Sequence, residues 1–467
     1  MCIPFPKRAH RLWVPIAMSA LVCIANGQSS IASYNGLHAI VGARIEIGDG
    51  RVIEKGTVVI RDGMIVAVAA DAAVPRGADI VDGKGLTIYP GFIDAYTTKG
   101  YKAPAESAQV DPDVITADYA PAFMRENVRK GITPENRATA NLALTDDLLK
   151  SYRGVGFTTI LVAPSGGDLS GVASLINLSG RPARESIVVA NVGETLGFGG
   201  RAWGAGYPGS LLGHIAQLRQ TFLDAQWYRS VDRSFQAGGF QRPPSDDALV
   251  ALQPVIAGKV PVIFDADSEY QIVRSLDIAS EFQLKPIIAG GNEAWTQVDA
   301  LKKAEVHVLL SIFLSKEPSE APPSPEKTEP APVKENSIKL AERKRLYAET
   351  VKNASLIAKA GIPFALTTKG GSPTDFMANL RKAVEAGLSK EAALKSLTID
   401  SAKIFGVDRQ LGTIEVGKIA NVIVLSGDFL KADTKVKMVY IDGRKFDPSK
   451  TTPAPAPRMR FGGEDGN

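Results

Sequence analysis

Thiol and imidazole are among the groups this chain has least of. Its 467 residues include two cysteines, Cys2 and Cys23, and four histidines. Both cysteines lie in the first 27 residues, so the remainder can form no disulfide, no thiolate metal site and no cysteine nucleophile. The histidines beyond that segment are His38, His214 and His307, and none is paired at ligand spacing. A zinc ion wants three or four convergent N, S or O ligands, so these three read as ordinary surface or core residues. A large charge of one sign is also missing. The net charge of +4 comes with no basic stripe interleaved with aromatics, which argues against nucleic acid as a partner. Long apolar runs are scarce too. The one candidate, residues 12–25, is interrupted by Pro15 and falls short of the roughly 20 residues a membrane span needs. Lys7, Arg8 and Arg11 precede it, and the small residues Ala25 and Gly27 follow. This predicts a signal peptide over residues 1–27, cleaved after Gly27, and an exported protein, periplasmic or secreted, with no membrane attachment after cleavage. The alternative is an anchor that stays in place.

What is present suits one large domain with a smaller satellite. Residues 36–89 carry short alternating β patterns, with Asp62-Gly63 as a hairpin turn. Residues 406–446 show the same pattern, ending in an apolar strand at 420–425 and another at 436–443. Together they predict a small composite β-sandwich built from both chain ends. Between them, residues 90–405 alternate helices with apolar strands, which predicts a parallel sheet and a (β/α)8 TIM-like barrel. Two stretches interrupt the pattern. Residues 315–336 are dominated by Pro, Glu, Lys and Ser, and residues 447–467 are rich in Pro and Gly; both read as flexible.

The chain is organised around Tyr89-Pro90-Gly91-Phe92-Ile93-Asp94-Ala95-Tyr96-Thr97-Thr98, a turn into a short strand that ends in polar side chains. The first strand of an α/β barrel delivers its functional groups in this way. The stretch resembles the Pro-Gly-x-Ile-Asp-x-His-x-His signature of the amidohydrolase superfamily. Residues 411–418 and 420–425 resemble that family's usual ending, with Asn421 where the family has Asp. The resemblance is nearest to the exported members close to imidazolonepropionases. It implies hydrolysis of non-peptide C–N bonds in cyclic amides or related small molecules, with zinc or another divalent ion held by His-x-His, two further histidines and an aspartate.

Carried over position by position, those ligands are gone. The first two histidines fall on Tyr96 and Thr98. The fifth-strand histidine falls on Asp265, within Val260-Pro261-Val262-Ile263-Phe264-Asp265-Ala266. The sixth-strand position falls near Gly290 or Gly291. The catalytic aspartate falls on Lys369, a reversal of charge that opposes a divalent ion. The reading is therefore a site without metal or other cofactor, in which Asp265 and Lys369 face each other across the barrel mouth with Tyr96 and Thr98 in support. Glu194, at an expected strand end, is a further pocket candidate, as is Gly290. Asp94 reads as structural. The Pro164–Gly171 loop reads as a tight βα connection or an anion cradle. Three functions stay open. The first is a degenerate amidohydrolase serving as a binding or assembly module, as a homo-oligomer or beside an active relative. The second is an active enzyme with an unusual site built from Asp265, Glu194 and Lys369, taking an amide-like small molecule. The third is a standard metal enzyme with its ligands elsewhere.

Overall fold

A computed structural model describes residues 36–103, 131–198, 209–239, 241–319 and 337–448. The expected signal peptide, most of the 315–336 loop and nearly all of the 447–467 tail lie outside the described residues.

The two chain ends share one eight-stranded sheet. From the N-terminal end come β1 (His38–Glu46), β2 (Val52–Arg61), β3 (Met64–Ala69), β4 (Asp79–Asp82) and β5 (Thr87–Pro90). The strands β6 (Phe92–Thr97), β7 (Phe157–Val162), β8 (Leu169–Asn177), β9 (Ile187–Gly197), β10 (Val262–Ala266), β11 (Pro286–Gly290), β12 (His307–Ser311) and β13 (Phe364–Thr367) form a second sheet. From the C-terminal end, β14 (Val422–Leu425), β15 (Val436–Ile441) and β16 (Arg444–Phe446) complete the first. Its order is β16-β15-β14-β5-β1-β2-β3, with β4 beside β1. The junction is the antiparallel pairing of β14 with β5, in which Ile423 faces Tyr89.

The second sheet runs in sequence order from β6 to β13. It is parallel from β9 to β13 and between β6 and β7, but β8 is antiparallel to both of its neighbours. The wholly parallel sheet expected from the sequence is thus broken at one strand. A short reversal after Pro164 sends the chain straight back along β7 with no crossover helix. No backbone ladder joins β13 to β6. Side chains bridge that seam instead. Thr368 N and Oγ1 donate to the two Asp94 oxygens at 2.9 and 2.6 Å, and Thr367 Oγ1 donates to the Tyr96 carbonyl. Asp94 is fully buried, so its role is to tie the first strand to the last, and burial raises its pKa despite these donors.

Alternation along the strands sorts residues between two cores. On β10, Val262, Phe264 and Ala266 join the cluster under the helices, whereas Ile263 packs with Ala95, Ile287, Leu309 and Ala365 on the other face. Asp265 shares the face of Ile263. On β13, Ala365 marks the same face and Thr367 follows it, which sets Lys369 two residues further along.

Candidate functional site

At the C-terminal edge of the second sheet, Lys369 lies between two carboxylates. Its Nζ is 2.7 Å from Asp265 Oδ1 and 2.5 Å from Asp267 Oδ2. The lysine side chain is 16% exposed, Asp265 39% and Asp267 42%. Tyr96 OH donates to the second oxygen of Asp265 at 3.4 Å. Asn292 Nδ2 donates to Asp267 Oδ1 at 3.1 Å.

Local structure holds each member. Asp267 precedes Ser268, the N-cap of the Glu269–Phe282 helix, whose Gln271 side chain accepts from the backbone N–H of both Asp267 and Ser268. This capping box pins the turn that carries Asp267. The Lys369 backbone N–H donates to Thr367 Oγ1, and its carbonyl accepts from Ser311 Oγ at the end of β12. Asn353, buried on the Ser337–Lys359 helix, donates to the carbonyls of Gly291 and Asn292 and fixes the turn after β11. Gly290, at φ 107°, is glycine because a Cβ there would overlap Asp267 Oδ1 and stand 2.7 Å from Lys369 Nζ. The room that glycine leaves is filled by the ion pair.

The trio carries a net charge of −1 in a largely enclosed place. Burial alone would lower the Lys369 pKa, but the two carboxylates outweigh it and the net direction is upward. Burial raises the Asp267 pKa, Lys369 opposes, and Asp265 and Glu293 add to the rise. The two rises differ in origin: neighbouring negative charge lifts Lys369, whereas burial is the first cause at Asp267. Burial, with the Asp265 charge behind it, also keeps the Tyr96 phenol protonated.

Two expected pocket residues lie elsewhere. Thr98 is exposed beyond the end of β6, and among the described residues it makes no hydrogen bond to the trio. The reason is a register irregularity between Asp94 and Thr97, which ends the alternation that would have aligned Thr98 with Tyr96. Glu194 is not at a strand end, because β9 continues to Gly197. It stands level with Val262, three residues before Asp265, and takes the outward face of Val262. There it is fully buried, with Oε1 accepting from Gly171 N at 3.1 Å and Oε2 unpartnered. Burial raises its pKa well above the usual carboxylate range.

Two groups near this edge went unnoticed in the sequence. Asp267 is one, though the Asp-x-Asp spacing from Asp265 could have revealed it. The other is the pair His214 Nδ1–Asp168 Oδ2, at 2.6 Å. The Asp168 carbonyl accepts from Gly197 N, and Gly197 pairs with Asp265. His38 pairs with Asp79 in the first sheet, and His307 sits at the opposite, N-terminal end of β12. The Pro164–Gly171 stretch is a reversal into β8, braced by Ser170 Oγ and the Gly167 backbone. A small recess beside Lys369 is lined by Phe313, Thr368, Ser372 and Phe376.

A model of the amidohydrolase family matches residues 288–445. The imidazolonepropionase of Klebsiella pneumoniae subsp. pneumoniae is 23% identical over 413 residues, covering 84% of this chain and 90% of that protein. A 77-residue stretch is 36% identical to the imidazolonepropionase of Mesorhizobium japonicum, spanning 16% of this chain and 19% of that protein. An amidohydrolase structure from Thermotoga maritima MSB8 superposes with a TM-score of 0.70 at 22% identity, over 88% of this chain and 99% of that one. The amidohydrolase family model thus covers the C-terminal third of the chain, and the similarity to imidazolonepropionases runs along most of its length at low identity.

The divalent ion implied by that family does not fit the residues present. Among the described residues no three His, Cys, Asp or Glu side chains converge on a point. The two carboxylates that do converge already share an ammonium. A divalent ion about 4 Å from that ammonium would meet roughly 8 kcal/mol of repulsion at an effective dielectric of 20.

Proposed function

We propose that this protein is an amidohydrolase relative in which an internal ion pair has replaced the metal, and that it works as a binding or assembly module instead of a metal-dependent hydrolase. The observation that carries this reading is the Lys369 ammonium between Asp265 and Asp267, in space that Gly290 leaves open. A lysine there supplies positive charge without an exchangeable water, so it cannot generate the metal-activated nucleophile the family relies on. An active site built jointly from Asp265, Lys369 and Glu194 is disfavoured, because Glu194 faces the helix side of the sheet and is spent on Gly171.

The same reading includes a barrel whose first and last strands are stitched by Asp94 and Thr368 instead of a ladder, and a composite β domain formed by the two chain ends. It also includes export after removal of residues 1–27. Its partner would be an active relative, a second copy or a small amide-like ligand.

The test is elemental analysis of the purified protein after incubation with zinc, manganese and iron and thorough desalting, alongside assays of imidazolone and cyclic-amide hydrolysis. The expected result is no retained metal and no turnover in a folded protein. Close to one equivalent of metal, or turnover abolished by a chelator, would overturn the proposal.

A further inference from the structure

The Leu211–Gln236 helix is amphipathic in an unusual sense: one of its outward faces is apolar too. Leu212 is 77% exposed, Leu223 51% and Trp227 59%, and Ala216 is also exposed. At 100° per residue these four positions fall within about 60° of one another, so they form one stripe roughly 22 Å long. The opposite face is already used. Leu218, Phe222 and Ala225 are buried, and Phe222 stacks on Phe282 of the neighbouring helix with ring centroids 5.1 Å apart. The stripe is therefore surplus to the core.

Its spacing is symmetric. Leu212 and Trp227 are equidistant from the point between Arg219 and Gln220, and so are Ala216 and Leu223. When two copies of the helix lie antiparallel about a twofold axis at that point, Leu212 meets the Trp227 of the other copy, and Ala216 meets its Leu223. A small residue opposes a large one, and each contact occurs twice, as an isologous interface requires. The middle of the stripe suits this arrangement. Arg219 is tied to Glu281 at 2.7 Å and Gln220 to Asp224 at 2.7 Å, so their polar ends are drawn aside within their own chain. Val250, exposed on the adjoining Asp247–Ala251 helix, could widen the contact.

We infer that this face is a homodimer interface, formed by antiparallel packing of two Leu211–Gln236 helices. The inference deepens the second-copy partner named under the proposed function, yet the interface stands whether or not the protein turns over a substrate. One helix pair covers less than the roughly 800 Å² per partner of a standard interface, so the association is to be sought at high protein concentration.

The scarcity of cysteine permits a clean test. In the full chain with Cys2 and Cys23 changed to Ser, Gln220→Cys places two thiols beside the axis, within disulfide reach. Mild oxidation should cross-link it into a covalent dimer. Leu212→Cys alone should stay uncross-linked, and the Leu212→Cys/Trp227→Cys double variant should cross-link. Sedimentation velocity at about 100 µM should show a dimer for the parent chain and a monomer for Leu223→Glu, whose circular dichroism and melting should match the parent because the site is exposed. A monomeric parent at that concentration overturns the inference. So does a dimer that survives Leu223→Glu, or a Leu212→Cys variant that cross-links as readily as Gln220→Cys.

Discussion

Changing Lys369 to Met removes the shared cation and leaves Asp265 and Asp267 facing each other. Both carboxylate oxygens touch the same nitrogen, at 2.7 and 2.5 Å, so the sum of those contacts caps their separation at about 5 Å. Two unit charges at that distance repel by about 3 kcal/mol at an effective dielectric of 20 and by about 1 kcal/mol in bulk water. The two aspartates are about two-fifths exposed, which places the case between those limits, and we expect a loss of about 2 kcal/mol at pH 7. The loss should shrink on acidification. Asp267 already has a raised pKa, and without Lys369 to oppose it the rise is larger, so a proton taken up there cancels the repulsion. In the parent the signs differ. The raised Lys369 pKa means its contribution is fully present below the ordinary lysine pKa and is lost only as pH climbs through the higher folded value. Urea unfolding followed by circular dichroism, at pH 7 and at pH 4.5, reads both effects. Combining Lys369→Met with Asp265→Asn and Asp267→Asn should recover most of the loss, since it removes the whole charged group. Equal stability of Lys369→Met and parent at pH 7, or a deficit that grows at pH 4.5, would refute the electrostatic reasoning.

Other consequences follow from the same contacts. Gly290→Ala forces a Cβ against Asp267 and Lys369 at a positive φ, and should lower stability by roughly 2–4 kcal/mol in the same unfolding assay, with a site disturbance visible as altered Asp267 titration by NMR. Glu194→Gln should stabilise the protein at neutral pH. The parent's raised Glu194 pKa favours the folded state below the ordinary glutamate pKa, and that advantage is lost as pH rises toward the folded value at about 1.4 kcal/mol per unit, a slope the variant's melting curves should lack. Asn421→Asp should lose roughly 2–4 kcal/mol at pH 7 and less at pH 4. It removes donors to Thr159 Oγ1 and Asn177 Oδ1 and sets a carboxylate beside Asp442, whose own pKa burial raises.

How much of this could be read beforehand depends on how local each cause was. The Pro90-Gly91 turn, the Asp62-Gly63 hairpin and the Val262–Ala266 strand are short-range patterns, and they marked their elements without reference to the rest of the chain. The positions of Asp265 and Lys369 came from motif frames that survive around them. What escaped were features decided by neighbours far away in sequence. The β8 strand was invisible because glycine and serine dominate its start, and only pairing with β7 and β9 makes it a strand. Glu194 was misplaced because its strand runs three residues further than its alternation suggested. Thr98 was misplaced by a backbone irregularity in β6 that leaves no trace in composition. Asp267 was overlooked because nothing before the fold indicates that a turn residue bends back toward a lysine 102 positions away.

A charge argument joins these pieces. In a metal site the carboxylate and imidazole ligands are satisfied by an ion from solvent. Here the Lys369 ammonium stands between Asp265 and Asp267, offsets one of the two carboxylates and leaves the trio at −1. Without Lys369 both carboxylates would stand unpaired, whereas without Asp265 the lysine would still be paired with Asp267. Gly290 belongs to the same set, because any side chain there would push the lysine away from Asp267. Asn421 extends the logic to the junction between the sheets. As an amide it supplies two donors and one acceptor to Thr159, Asn177 and Asp442, leaving Asp442 as the carboxylate of that buried network. Asp265, Lys369 and Asn421 are thus each matched by a partner that keeps the fold satisfied.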